Sequence, residues 1–156
     1  MKSRIAVTLA LCFVAAVTCV AEEPSLKDPL LGTWILSEGE TNGKDLKEAL
    51  KAQGLDGLKV KFADGVMSMT GFGGPEFKYK YSSDPTAKPT EIHLTTEDTQ
   101  GKVPQGLKMT GIYQLEGDVL KLCLPNKPAD GKPTEFTAPS GSNRSLLTLK
   151  RQAETQ

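Results

Sequence analysis

The chain has 156 residues and a mass of 16.7 kDa, the size of one compact domain rather than two. With 38% hydrophobic and 24% charged residues it can bury a core, which argues against wholesale disorder. Lys and Arg number 19, and so do Asp and Glu; this balance gives no footprint for nucleic acid or an acidic membrane surface as partner.

Residues 1–21 have the three parts of a secretory signal peptide. Lys2 and Arg4 make a positive start, and an apolar run from Ile5 to Val17 is broken only by Thr8. Cys19-Val20-Ala21 then offers small residues ahead of a cut, and polar Glu22-Glu23-Pro24 follows. The run is shorter than the roughly 20 residues that span a bilayer, so no transmembrane segment is expected after cleavage. Ala16 and Thr18 stand where a lipid-attachment motif ahead of Cys19 expects Leu and a Gly or Ala. Cleavage after Ala21 removes Lys2, Arg4, Cys12 and Cys19, leaving a net charge of −2 and Cys123 as the one thiol. No intramolecular disulfide can then form, and the core alone must supply stability. The expected organisation is a signal peptide over 1–21, a linker over 22–29, a domain over 30–151 and a tail over 152–156. The expected location is periplasmic or extracellular.

The rest of the chain reads mainly as short strands. Gly32–Leu36 is the first. Asp45 to Gly54 breaks the rhythm: Leu46, Ala49 and Leu50 share a helical face, Asp45 with Glu48 resembles a capping box, and Gly54 is a stop. So short a helix must lean on the sheet to exist. Leu58 to Phe62 alternates apolar residues with Lys, Asp64-Gly65 suits a tight hairpin, and Val66–Thr70 returns. Gly71 to Gly74 is a looser turn. Phe77 to Tyr81 alternates aromatics with Lys, and Asp84 to Pro89 carries two Pro and must be loop. Ile92–Leu94, Met109–Leu115 and Leu120–Leu122 follow, the last two joined at Glu116-Gly117-Asp118. Pro125 to Asn143 is Pro-rich, with Thr134 to Thr137 as a brief strand-like insert, and Leu147–Lys150 ends the pattern.

Alternation gives each strand one apolar and one wet face, as antiparallel sheets require. Eight such strands leave two open edges unless the sheet closes. The expected fold is therefore a mainly β, eight-stranded antiparallel up-and-down barrel with one short helix after the first strand. A two-sheet sandwich is the competing arrangement of the same strands.

Three stretches are similar to a family of small exported proteins, known chiefly from Planctomycetes, with a lipocalin-like fold. They are Leu31-Gly32-Thr33-Trp34 with Asn42-Gly43-Lys44 and the helix; Asp84 to Pro89 running into Glu91-Ile92-His93-Leu94; and Gly111 to Asp118 with Leu120 to Cys123 and Lys132 to Phe136. With the Leu146 to Arg151 ending they cover nearly all of residues 30–151. Gly32-x-Trp34 also resembles the first-strand signature of lipocalins. That resemblance implies a Trp covering the closed end of the barrel, with a late Arg packed on it; Arg151 is the residue offered for that part. What the resemblance implies is a fold, not an activity.

No catalytic residue, metal ligand or cofactor is assigned. His93, the single histidine, alternates to the wet face between Ile92 and Leu94 and has no partner at metal-ligand spacing. Neither a Gly-x-Ser-x-Gly elbow nor a P-loop occurs. Cys123 sits inside a strand pattern without a nearby His to activate it. Dispersed carboxylates such as Glu97-Asp98 select no hydrolase pair. The leading expectation is a non-enzymatic binding module taking a small lipophilic or aromatic ligand inside the barrel, where a barrel of this size just fills or holds one ligand. Trp34, Phe62, Tyr79, Tyr81, Met109, Tyr113 and Leu122 are the expected ligand-binding residues. The other reading is an inhibitor or accessory module that docks on an envelope protein through Phe72 and the Pro-rich loop around Phe136.

Overall fold

The computed structural model describes residues 28–55, 57–71, 73, 76–98, 101 and 103–153. Residues 1–27, which take in the segment expected to be a signal peptide and most of the expected linker, lie outside that set, as do Phe72 and the last three residues.

The strands are β1 (Gly32–Thr41), β2 (Lys44–Asp45), β3 (Lys59–Ala63), β4 (Val66–Thr70), β5 (Phe77–Asp84), β6 (Glu91–Asp98), β7 (Lys108–Glu116), β8 (Val119–Pro125) and β9 (Arg144–Arg151). Helix α1 (Leu46–Ala52) follows β2. Each long strand pairs antiparallel with its neighbour in the chain, and β1 pairs with both β3 and β9. Eight strands thus close into an up-and-down barrel, lipocalin-like in form, and the sandwich is excluded. Closure leaves the eight strands without a free edge, the arrangement the alternating segments call for. A bulge in β1 between Leu36 and Glu38 lets that strand change its pairing as it crosses the seam.

Turn chemistry sets the register. Asp64 and Gly65 both have positive φ, 51° and 75°, as the tight hairpin between β3 and β4 requires. Asn42 and Gly43, at 51° and 78°, do the same between β1 and the two-residue β2. That small extra hairpin was not among the expected strands, although Asn-Gly is the strongest short hairpin signal. Thr134 to Thr137 is not a strand. Pro133 lacks an N–H for a ladder, and it and Ala138 are buried where the loop lies down on the barrel wall.

The helix forms as its sequence dictates. The Asp45 carboxylate accepts from the Glu48 amide at 3.0 Å, and Gly54 adopts φ 73° just beyond the last turn. Leu46 and Leu50 are buried. Leu46 lies so close to Gly39 of β1 that a Cβ on that glycine would come within 3.0 Å of it.

The inward residues form one continuous core that includes Trp34, Leu36, Val60, Phe62, Ile92, Leu94, Tyr113, Leu120, Leu122 and Leu149. Phe77, Tyr79, Tyr81 and Met109 pack against it partly buried. The intervening Lys residues 59, 61, 80 and 121 are exposed. Ile112 and Cys123 face outward yet are fully buried, because the loop between β8 and β9 covers them; the Cys123 Sγ lies 3.7 Å from the Thr137 carbonyl oxygen.

Candidate functional site

The two ends of the barrel differ in chemistry. At one end, where β1 begins and β9 finishes, the interior is solid. Trp34 is completely buried and its Nε1 donates to the Leu30 carbonyl at 2.8 Å. Arg151 lies over the Trp34 ring, 4.2 Å from its centre, and donates from Nη1 to the Leu31 carbonyl and from Nη2 to the Pro29 carbonyl, at 2.6 and 2.9 Å. The resemblance to lipocalins implied this contact, and the geometry supplies it. Gly32 makes it fit: a Cβ there would come within 3.2 Å of the guanidinium. Tyr81 meets Phe62 edge-on with ring centroids 5.0 Å apart, and its hydroxyl donates to Asp28 at 2.6 Å. Residues 28–31 therefore form a plug tied to β1, β5 and β9.

The other half of the barrel holds a cavity of about 350 Å³. Its walls are thioether and hydrocarbon: Met67 and Met69 from β4, Met109 from β7, Leu94 from β6, and Leu124 and Leu147 from β8 and β9. Phe77 and Tyr79 of β5 add aromatic faces, and Leu46 of α1 closes part of the mouth. Burial pushes the Tyr79 phenol above its ordinary pKa, so it stays neutral. Among the described residues no charged side chain lines the cavity. Its polar groups gather at the rim, where Thr41 Oγ1 and Ser145 Oγ lie 2.8 Å apart and Ser145 Oγ donates to Asn126 Oδ1 at 2.7 Å.

Two of the expected ligand-binding residues, Tyr79 and Met109, line this cavity. Trp34, Phe62, Tyr113 and Leu122 point inward but belong to the solid core, and Tyr81 belongs to the plug. The expectation grouped all inward side chains together; alternation reports the face of a strand and is silent on depth along the barrel axis. The residues it missed are chiefly Met67, Met69 and the rim trio Thr41, Asn126 and Ser145. The i, i+2 spacing of Met67 and Met69 is the signal that would have found the first two.

His93 is exposed, 3.1 Å from Thr110 Oγ1 and 3.9 Å from Glu91. Burial raises the pKa of the Cys123 thiol, the opposite of what a nucleophile needs. Phe136 is partly buried within a loop that lies against the barrel, not held out from it. No family model, curated protein or solved structure matches the chain, so the fold and the cavity carry the functional argument.

Proposed function

We propose that this chain is an exported, non-enzymatic lipocalin-like binding module that holds one small apolar or aromatic ligand in the open half of its barrel, in the periplasm or outside the cell. The observation that carries the reading is the cavity. At about 350 Å³ it sits at the lower end of the roughly 300–1,000 Å³ of small-molecule sites. Its lining has the composition such sites share, a broad apolar wall with a few polar groups to one side. Met-rich walls adapt to irregular ligands, since the thioether is flexible and polarisable. Export rests on the residues of the leader, Lys2 and Arg4 ahead of Ile5 to Val17.

The test is titration of the purified protein with N-phenyl-1-naphthylamine, a neutral dye that brightens in apolar surroundings. Saturable binding is expected, and Met109→Trp, which fills the cavity, should abolish it while far-UV circular dichroism stays unchanged. Binding without saturation, or binding untouched by Met109→Trp, rejects the reading. N-terminal sequencing of protein recovered from a periplasmic or culture fraction checks export, with Glu22 as the expected first residue.

A further inference from the structure

We infer that the rim trio Thr41, Ser145 and Asn126 reads the polar head of an uncharged amphiphile, such as a long-chain alcohol, whose hydrocarbon tail lies along the Met-rich wall. The inference rests on the ligand-binding reading and deepens it by naming the ligand class.

The hydrogen-bond directions follow from the chemistry of the groups. A hydroxyl has one hydrogen to give, and a carboxamide oxygen can only accept. Ser145 gives its hydrogen to Asn126 Oδ1 at 2.7 Å. The Thr41 hydroxyl, 2.8 Å from Ser145 Oγ, must then donate to it. The chain is therefore polarised from Thr41 to Asn126. Thr41 keeps oxygen lone pairs for accepting, and Asn126 keeps an NH₂ for donating. An alcohol, which both donates and accepts, suits either end.

The same site is poor for an ion. Taking a carboxylate out of water is costly unless a charge or several donors receive it. The described lining offers neither Lys nor Arg, and its one ionisable group is the phenol of Tyr79. The tail has a defined path, because Ser145 shares its strand and inward face with Leu147, and Leu147 with Met67 and Met109 belongs to the cavity wall below the rim.

The experiment is displacement of N-phenyl-1-naphthylamine by three ligands of equal chain length, namely decanol, decanoate and decane, at pH 8. Decanol is expected to displace the dye at least about tenfold more tightly than decanoate, which is about 1.4 kcal/mol, and several-fold more tightly than decane. Ser145→Ala and Asn126→Leu should each remove most of the margin of decanol over decane, with each displacement referred to that variant's own dye affinity. Decanoate equal to or better than decanol overturns the inference and leaves the binding reading standing. So does a margin over decane that both variants preserve. A dye that never binds saturably overturns the binding reading itself, and this inference falls with it.

Discussion

The guanidinium carbon of Arg151 lies 4.2 Å from the centre of the Trp34 ring, and the two residues belong to strands from opposite ends of the chain. β1 and β9 close the barrel against each other, so this contact fastens the seam. The same guanidinium holds the carbonyls of Leu31 and Pro29. A cation–π contact of this kind contributes about 0.5–2 kcal/mol. Hydrogen bonds from a charged donor add about 1.5–3 kcal/mol each, less here because the side chain keeps some solvent exposure. Arg151→Ala should therefore lower stability by about 2–4 kcal/mol and move the urea midpoint down by roughly 1–2 M at unchanged slope. Arg151→Lys should recover less than half, since an ammonium cannot fork to two carbonyls while stacking on an indole. Asp118→Asn, which neutralises the carboxylate 3.2 Å from Arg151 Nε, should cost little, because the Asp118 side chain is 82% exposed. Equal stability of Arg151→Ala and the parent would refute this account of the seam.

Thr96 is the one buried polar residue among the described positions, and it anchors the loop that leads into β7. Its Oγ1 donates to the Pro104 carbonyl at 2.7 Å and accepts from the Leu107 amide at 2.9 Å. Thr96→Val keeps the shape and strips both partners of their bond. Pro104 is exposed and Leu107 half-buried, so water can replace part of each bond, and at about 0.5–1.5 kcal/mol net per hydrogen bond a loss of about 1–2 kcal/mol is expected. Amide exchange at Leu107 should accelerate more than exchange at Leu122 in the core. Uniform acceleration, or none, contradicts the anchoring role.

Gly111 faces the interior from β7, where a Cβ would come 2.7 Å from the Cys123 carbonyl oxygen and closer still to Leu124 Cδ2. Leu124 is part of the cavity wall. Gly111→Ala must push Leu124 aside and shift the β8 backbone at Cys123, at a cost of at least about 1–3 kcal/mol for overpacking, and the displaced Leu124 side chain has the cavity to move into. Thermal unfolding should show the loss of stability, and dye titration should show several-fold weaker binding. A destabilised variant with unchanged dye affinity would mean that Leu124 relaxes elsewhere.

The strand order and the closed end were legible because both are written in period-two contrast and in a few unusual residues. Lys59 and Lys61 against Val60 and Phe62 leave no doubt which face is wet. Trp34 and Arg151 stand out by type alone. Depth along the barrel was not legible. Phe62 and Met69 alternate equally well, yet Phe62 is locked in the solid half and Met69 borders the cavity. Strand tilt and stagger decide that, and both are properties of the closed sheet. The outward burial of Cys123 and Ile112 was hidden for a related reason. It depends on where a 126–143 loop without strands comes to rest, and no local pattern encodes that.

Tyr81 gives the plug a pH signature. Burial first, then the hydrogen bond to Asp28 and the charge of that carboxylate, hold the Tyr81 phenol well above its ordinary pKa. In the unfolded chain the phenol ionises near pH 10. Below that pH both states are protonated and the contribution is fully present. As pH rises past about 10 the unfolded state loses its proton first, fewer protons are bound unfolded than folded, and stability falls with pH. Tyr81→Phe removes this linkage along with the 2.6 Å hydrogen bond to Asp28. At pH 7 the variant should be weaker by about 1 kcal/mol, the ordinary worth of such a bond. Between pH 9.5 and 11 its denaturation midpoint should decline less steeply than that of the parent, with Tyr79, whose phenol burial also raises, supplying the remaining slope. Parallel declines in the two proteins would show that Asp28 and Tyr81 do not hold the plug as described.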